Sequence, residues 1–399
     1  MKNLAFLSLL FLPLSIFCQN DFLIEAESFL DKGGWVSDPQ FIQQMGSTYL
    51  MAHGMGTPLP NAKTQIKIKQ KGSYHIWART RNWVPGTWEA PGRFKVIVNG
   101  EELENTLGLN PDWNWEYAGQ VKIKDKNTLV ELKDLTGFNG RCDAIYFSQT
   151  KVLPPNEKEA LKKWRREKLK EPISPEVVKQ YDLVVTGGGV AGCAASIAAA
   201  EQGLKVALIH DRPVLGGNAS SEIRVHTLGI YGKFERILKL IDTEHYPNGS
   251  SDAIIDQERR DANMKKFKNI DIHLNWRAYN AVSEQNTIQY VDARHTSTGA
   301  RIRFNAPLFV DATGDGWIGY WAGAEYSYGR ESVHKYGEEW EKWGELWSPE
   351  EPDNAVMGSS ILFQTVENSK PVTFPEVPWA LPVAKGHQAV AGEWYWEFS

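Results

Sequence analysis

Cysteine is scarce in this chain: three residues in 399. One of them, Cys18, ends an apolar leader, which leaves Cys142 and Cys193 in segments that read as different domains. So few thiols exclude a four-cysteine iron–sulfur cluster and any disulfide framework. An excess of charge is also lacking. Lys and Arg total 44 against 49 Asp and Glu, a formal net of −5. That balance offers no basic footprint for nucleic acid, so no such partner is expected. No apolar run after residue 20 is long enough for a transmembrane segment. Internal repeats and low-complexity stretches are absent too. Tryptophan, by contrast, is plentiful at 16 residues, and its flat face suits sugar rings as well as cores.

The leader itself has a positive start at Lys2, an apolar core from Leu4 to Phe17 and a junction at Cys18–Gln19. It reads as a cleaved secretory signal over residues 1–18. Phe17, just before the cysteine, argues against a lipid anchor at Cys18. A secreted or periplasmic bacterial protein is therefore expected.

The most informative stretch is Thr186–Gly192, T-G-G-G-V-A-G, placed between the apolar run Tyr181–Val185 and the small-residue run Cys193–Ala200. That order is strand, glycine turn, helix. Gly187 permits the tight turn, Gly189 lets backbone approach a pyrophosphate, and Gly192 lets helix and strand pack closely, with Gly188 and Ala191 expected among the cofactor-binding residues. The helix N-terminus then offers free N–H groups and partial positive charge to phosphates. A second strand follows at Leu204–Ile209. A dinucleotide site normally places a carboxylate at its end for a ribose hydroxyl. Here His210 holds that position and Asp211 comes one residue later. Either His210 offers a ring nitrogen, or Asp211 reaches round, or both are plain loop residues.

Beyond it, Arg212–Pro213–Val214–Leu215–Gly216–Gly217–Asn218 carries a second glycine pair, and Leu308–Val310 runs into Asp311–Ala312–Thr313–Gly314–Asp315–Gly316. These three ordered motifs resemble the FAD-dependent oxidoreductase family of the glutathione-reductase-like flavoprotein class. The resemblance covers Tyr181 to the C-terminus. It implies an α/β Rossmann-like FAD/NAD(P)-binding domain with FAD, rather than NAD, as cofactor. It also implies that Asp315 in the A-T-G-D-G segment reaches the ribityl chain. Relatives of this type continue past the Trp394–Glu397 cluster, so the chain looks C-terminally truncated relative to them.

Residues 19–150 show short alternating apolar runs, such as Tyr74–Arg79 and Phe94–Val98, and a hairpin signal at Val98–Asn99–Gly100–Glu101. Such spacing predicts an all-β sandwich. Its opening I-E-A-E-S-F, the strand Y-H-I-W-A-R and the closing C-D-A-I-Y-F resemble jelly-roll carbohydrate-binding modules. That resemblance implies a structural Ca²⁺ held by Glu25, Glu27 and Asp143, because oxygen ligands suit a hard cation. Two aromatic stretches, Arg81–Trp88 and Trp113–Tyr117, are candidates for sugar stacking or for packing.

Residues 151–178 read as a helical linker. Glu157–Lys170 is a charged, helix-favouring run expected to be a solvated connector, ended by Pro172 and Pro175. The flavin domain is expected over residues 179–399.

For chemistry, Ser220–Thr227 follows the second glycine pair. If extended, it sets Glu222, Arg224 and His226 on one face. A carboxylate, a guanidinium and an imidazole there could hold a sugar hydroxyl and accept its proton, with His226 as the base. The rival reading is a structural ladder in which Arg224 pairs with Glu222. Arg330 and Glu331 are second-tier candidates, and Glu338–Trp343 reads as a cap helix. His387 and the Trp394–Glu397 cluster are possible cavity lining.

The expected activity is oxidation of a carbohydrate or glycoside by hydride transfer to flavin, with the electron acceptor left open. The alternatives are a carbohydrate-binding protein on a degenerate flavin scaffold, and flavin-assisted cleavage of a glycoside.

Overall fold

The computed structural model describes residues 21–84, 90–227, 232, 235–244, 252–337, 349–356, 369–371 and 373. The leader, the second half of the Arg81–Trp88 stretch from Pro85 on, Glu338–Trp343, His387 and the Trp394–Glu397 cluster lie outside the described residues. The chain divides into two compact units, with the boundary between Glu171 and Pro172.

The first unit contains β1 (Phe22–Glu25), β2 (Val36–Asp38), a short helix α1 (Ile42–Met45), β3 (Tyr49–His53), β4 (Ala62–Lys67), β5 (Gly72–Thr80), β6 (Phe94–Val98), β7 (Glu101–Glu102), β8 (Asn114–Ile123), β9 (Asn127–Asp134) and β10 (Phe138–Ser148). One sheet runs β2-β3-β10-β5-β8, with β1 also paired to β10; the other runs β4-β9-β6-β7. Every pairing in both sheets is antiparallel. Alternation along the strands sends Tyr74, Ile76 and Ala78 of β5 and Phe94, Val96 and Val98 of β6 into one core with Leu132, Ile145 and Phe147. The hairpin signal is realised: Asn99 (φ 50°) and Gly100 (φ 83°) both take the left-handed conformation that a two-residue β6–β7 turn demands.

Helix α2 (Lys158–Leu169) belongs to this unit and is not a solvated connector. Glu157 caps it by accepting from the Glu159 and Ala160 N–H groups. Leu161 and Trp164 pack on Leu23, Trp115, Ala144 and Tyr146, on the outer face of the larger sheet. The charge-rich sequence hides this apolar stripe, and it also hides the buried Arg165.

Arg165 overturns the calcium expectation. Its Nη1 donates to Asp143 Oδ2 at 2.8 Å, and its Nη2 donates to Ser47 Oγ at 2.8 Å and to Glu25 Oε2. Arg79 Nη1 donates to the same Asp143 oxygen at 2.9 Å. Guanidinium groups thus sit against the carboxylates that a calcium ion would need, and no metal-holding cluster occurs among the described residues. Glu27 lies nearby, 3% exposed, and burial together with Glu25 and Asp143 pushes its carboxyl well above the usual range.

The second unit contains β11 (Val177–Gln180), β12 (Leu183–Thr186), α3 (Val190–Glu201), β13 (Val206–His210), α4 (Glu235–Leu238), α5 (Asp252–Met264), β14 (Ile270–Leu274), β15 (Trp276–Glu284), β16 (Thr287–His295), β17 (Arg301–Asn305), β18 (Leu308–Asp311) and α6 (Trp317–Ala322). Four parallel strands form one sheet in the order β14-β13-β12-β18. A second sheet, β11-β17-β16-β15, is built on the meander inserted between β14 and β18. One face of the parallel sheet, through Val184, Ala207 and Ile209, packs on Ala281, Val291 and Phe304 of the second sheet. The other face, through Val185, Val206 and Leu208, packs on Cys193 and Ile197 of α3. The unit is therefore layered helix, parallel sheet, mixed sheet.

Candidate cofactor and active site

The parallel sheet reverses its order at β12. The chain steps outward from β12 to β13 and β14, then returns to place β18 on the other side. Such a reversal opens a crevice beyond the carboxyl ends of the strands, where open α/β sheets bind ligands. A cavity of about 680 Å³ lies there, bordered by the β12–α3 turn, the end of β13, the Gly216–Ala219 turn, the start of β15 and the turn after β18.

The first turn is built as the sequence reading requires. Gly187 has φ 104°, and a side chain there would meet the Ala312 carbonyl. Gly192 lies against the Gly187 carbonyl, where an added Cβ would be only 1.8 Å away. Gly189 differs: an added Cβ would meet nothing nearer than 4.0 Å, so the space beside it is free. Gly189 is also the N-cap of α3 and makes no side-chain cap hydrogen bond. The first-turn groups of Val190 and Ala191 border the cavity with Gly187, Gly188 and Gly189. A bare, uncapped helix start facing a crevice fits the diphosphate of a dinucleotide.

The second turn locks to the first. Gly216 N–H donates to Gly188 O at 2.8 Å, and Gly189 and Gly216 form a parallel bridge. Gly216, Gly217 and Asn218 all line the cavity.

His210 is spent inside the protein. Its Nδ1 accepts from Gly188 N–H at 3.0 Å, and its Nε2 donates to Val214 O at 3.0 Å. Burial holds the imidazole below its ordinary value, which keeps the neutral tautomer needed for this pair of bonds. No ring nitrogen is left for a ribose. Asp211 instead lines the cavity, and Arg277 Nη1 grips its carboxylate at 2.6 Å. Arg212 is at the cavity too and pairs with Glu222 at 3.1 Å.

The A-T-G-D-G segment is shaped by Asp311 and Thr313. Asp311 Oδ2 accepts from the N–H groups of Ile318 and Gly319, and Thr313 Oγ1 accepts from Trp317 N–H. This ties the turn to the start of α6 and leaves Gly314 and Asp315 at the cavity.

The stretch after the second turn is not extended, which corrects the one-face arrangement. Arg224 N–H donates to Ser220 O at 2.8 Å, Val225 N–H to Asn218 O at 2.8 Å, and Arg224 has φ 65°. The two-residue period is broken. Glu222 is drawn to Arg212 and not into a ladder, Arg224 Nε donates to Ser221 O, and only His226 of the three borders the cavity. Arg330 pairs with Asp353 at the surface, and neither it nor Glu331 borders the cavity.

Sequence reasoning missed Trp276, Arg277, Trp317 and Trp321, all of which line the cavity. Their signal was positional. Trp276 and Arg277 open the strand after β14, and Trp317 follows A-T-G-D-G directly. Trp317 and Trp321 stack at 5.6 Å between centroids.

Among solved structures, the chain is similar to L-proline dehydrogenase from P. horikoshii, at 19% identity and a TM-score of 0.24, covering 39% of this chain and 24% of that one. It is similar to a geranylgeranyl bacteriochlorophyll reductase-like protein from Thermoplasma acidophilum, at 23% identity and a TM-score of 0.25, covering 37% and 43%. A family 35 carbohydrate binding module from Clostridium thermocellum matches at 16% identity and a TM-score of 0.27, covering 32% of this chain and 96% of that one. The chain thus spans less than half the length of the dehydrogenase and of the reductase-like protein. No curated protein matches it. The model of the family described as FAD dependent oxidoreductase matches residues 182–389, more than half of the chain. With the crevice, the paired glycine turns and this match in agreement, the chain belongs to the FAD dependent oxidoreductase family.

Proposed function

We propose that this family member is an exported bacterial enzyme that oxidises a carbohydrate or glycoside. The observation that carries the reading is the cavity itself: two glycine turns and an uncapped helix start share one crevice with His226 and three tryptophans. FAD, when bound, supplies the acceptor for a hydride. The backbone at Gly187–Ala191 and Gly216–Asn218 would hold its diphosphate. Asp211, oriented by Arg277, would take the ribose hydroxyls, and Asp315 would lie toward the ribityl chain. His226 would accept the hydroxyl proton of the substrate. Trp276, Trp317 and Trp321 line the cavity, and indole rings are the kind of apolar surface that sugar rings stack on. The reading of the first unit as a carbohydrate-binding module, and of the leader as an export signal, supports the substrate class and the location. The first unit would hold the enzyme on a polymer near its substrate.

The test uses the full chain, purified after export and loaded with FAD. Flavin absorbance bleached anaerobically by members of a sugar and glycoside panel is the expected result. A yellow protein bleached by no sugar would remove carbohydrate oxidation. Release of reducing ends without an external acceptor would move the assignment to flavin-assisted cleavage.

A further inference from the structure

Arg260, on α5, is fully buried, with no exposed surface. A guanidinium in that position normally meets a carboxylate, because desolvating a cation is costly. This one does not. Its Nε donates to Ile241 O at 2.6 Å, Nη1 to Leu215 O at 3.4 Å and Gln257 Oε1 at 3.1 Å, and Nη2 to Ala219 O at 3.0 Å and Asp242 O at 3.3 Å. Every acceptor is a neutral oxygen. The carboxylates nearby are engaged elsewhere. Asp256 accepts from Glu244 N–H and faces Arg259 at 3.7 Å, and Asp261 accepts from Gln257 Nε2 at 2.9 Å. Arg259 adds a second positive charge beside it, while Asp256 and Asp261 act on it through space without a hydrogen bond, and burial outweighs them to hold its pKa below the ordinary value.

The position of this charge gives it a use. Leu215 and Ala219 bracket Gly216, Gly217 and Asn218, which border the cavity. Gly216 (φ 114°) lies so close that an added Cβ would be 2.7 Å from Arg260 Nη1. The guanidinium therefore stands directly behind the second glycine turn, on its protein side.

We propose that Arg260 is a positioning residue for the anionic centre of the cofactor: it fixes the Leu215–Ala219 turn from behind, and its charge is balanced by the diphosphate of the ligand. This rests on the reading that the cavity takes FAD. Drawn back to the guanidinium, the Leu215 and Ala219 carbonyls are kept from repelling phosphate oxygens. The positive field of Arg260 then acts through one layer of backbone, together with the helix start of α3. Arg260 needs no contact with the ligand.

The experiment measures binding of FAD, ADP and adenosine to the full-length protein by calorimetry, for wild type, Arg260→Met and Arg260→Lys, with the ligand-free melting temperature as fold control. Arg260→Met is expected to lose about 30-fold in affinity for FAD and for ADP, the size of one unit charge acting through a few ångströms of protein. Adenosine, which lacks the diphosphate, is expected to bind as before. Arg260→Lys, which keeps the charge and loses the fork, should retain most of the ADP affinity. Equal losses for ADP and adenosine would make Arg260 a merely structural brace and overturn the proposal, as would unchanged ADP binding. Should the methionine variant fail to fold, the lysine variant decides: an ADP-specific loss under tenfold supports the proposal, and a loss shared with adenosine overturns it. Wild type that binds ADP but not FAD would instead sink the cofactor reading and leave Arg260 with a diphosphate of another kind.

Discussion

Two glycines three residues apart make opposite predictions. At Gly192 an added Cβ would lie 1.8 Å from the Gly187 carbonyl oxygen and 3.3 Å from Ala312 Cβ. A carbon and an oxygen in contact need roughly 3.2 Å, so Gly192→Ala must push helix and turn apart by more than an ångström, at a cost of about 3 kcal/mol. At Gly189 the nearest atom to an added Cβ is 4.0 Å away, and the methyl meets free space. Gly189→Ala should cost only about 1 kcal/mol, the N-cap preference, while placing a methyl where the diphosphate would approach. Thermal melts and FAD titrations on both variants separate the effects. Gly192→Ala should melt roughly 6–12 °C lower, whereas Gly189→Ala should melt within about 4 °C of wild type and bind FAD at least about tenfold more weakly. Wild-type FAD affinity in Gly189→Ala, or a wild-type melt in Gly192→Ala, would refute the reasoning.

The pH dependence of stability has a defined sign. Burial, aided by Lys179 and opposed by Asp271, lowers the His273 pKa to about 4 from an ordinary 6.5. The unfolded chain takes up this proton near pH 6.5 and the folded one does not until about pH 4, so stability is lost as pH falls through that window, by about 3 kcal/mol. Denaturant titrations at several pH values should show this slope reduced in His273→Gln. Arg165→Met should destabilise the first unit by about 3 kcal/mol in urea melts, because Glu25 and Asp143 lose a buried partner, and a calcium chelator should leave the wild-type melt unchanged. Asp211→Ala should weaken FAD binding about tenfold in a fluorescence titration, and Arg277→Ala should do so less.

The glycine turns were legible because their constraint is local. A backbone at φ 104° beside a carbonyl admits little but glycine, so residue type reports geometry directly. The sandwich strands were legible for a similar reason, since burial on one face imposes a two-residue period. Helix α2 was misread because its apolar stripe amounts to Leu161, Trp164 and Leu169 set among charges, and because nothing local marks Arg165 as buried. The Glu222–Arg224–His226 alignment failed at one torsion: with Arg224 at φ 65°, alternate residues no longer share a side. Trp276 and Arg277 went unseen because their role depends on where the meander begins relative to β13, which is set by long-range pairing. Arg260 lies on an ordinary helix, and only the folded chain brings it behind Gly216.

The His210 brace bears on how this nucleotide site could be redesigned. Its imidazole accepts from one turn and donates to the next, linking Gly188 to Val214. A glutamate grafted here, to imitate the acidic residue usual at this point, would have no proton for the Val214 carbonyl and would set two acceptors face to face. Cofactor preference in this scaffold therefore cannot be exchanged by a single-residue transplant at 210. The anchoring of the Val214 peptide has to be rebuilt in the same step.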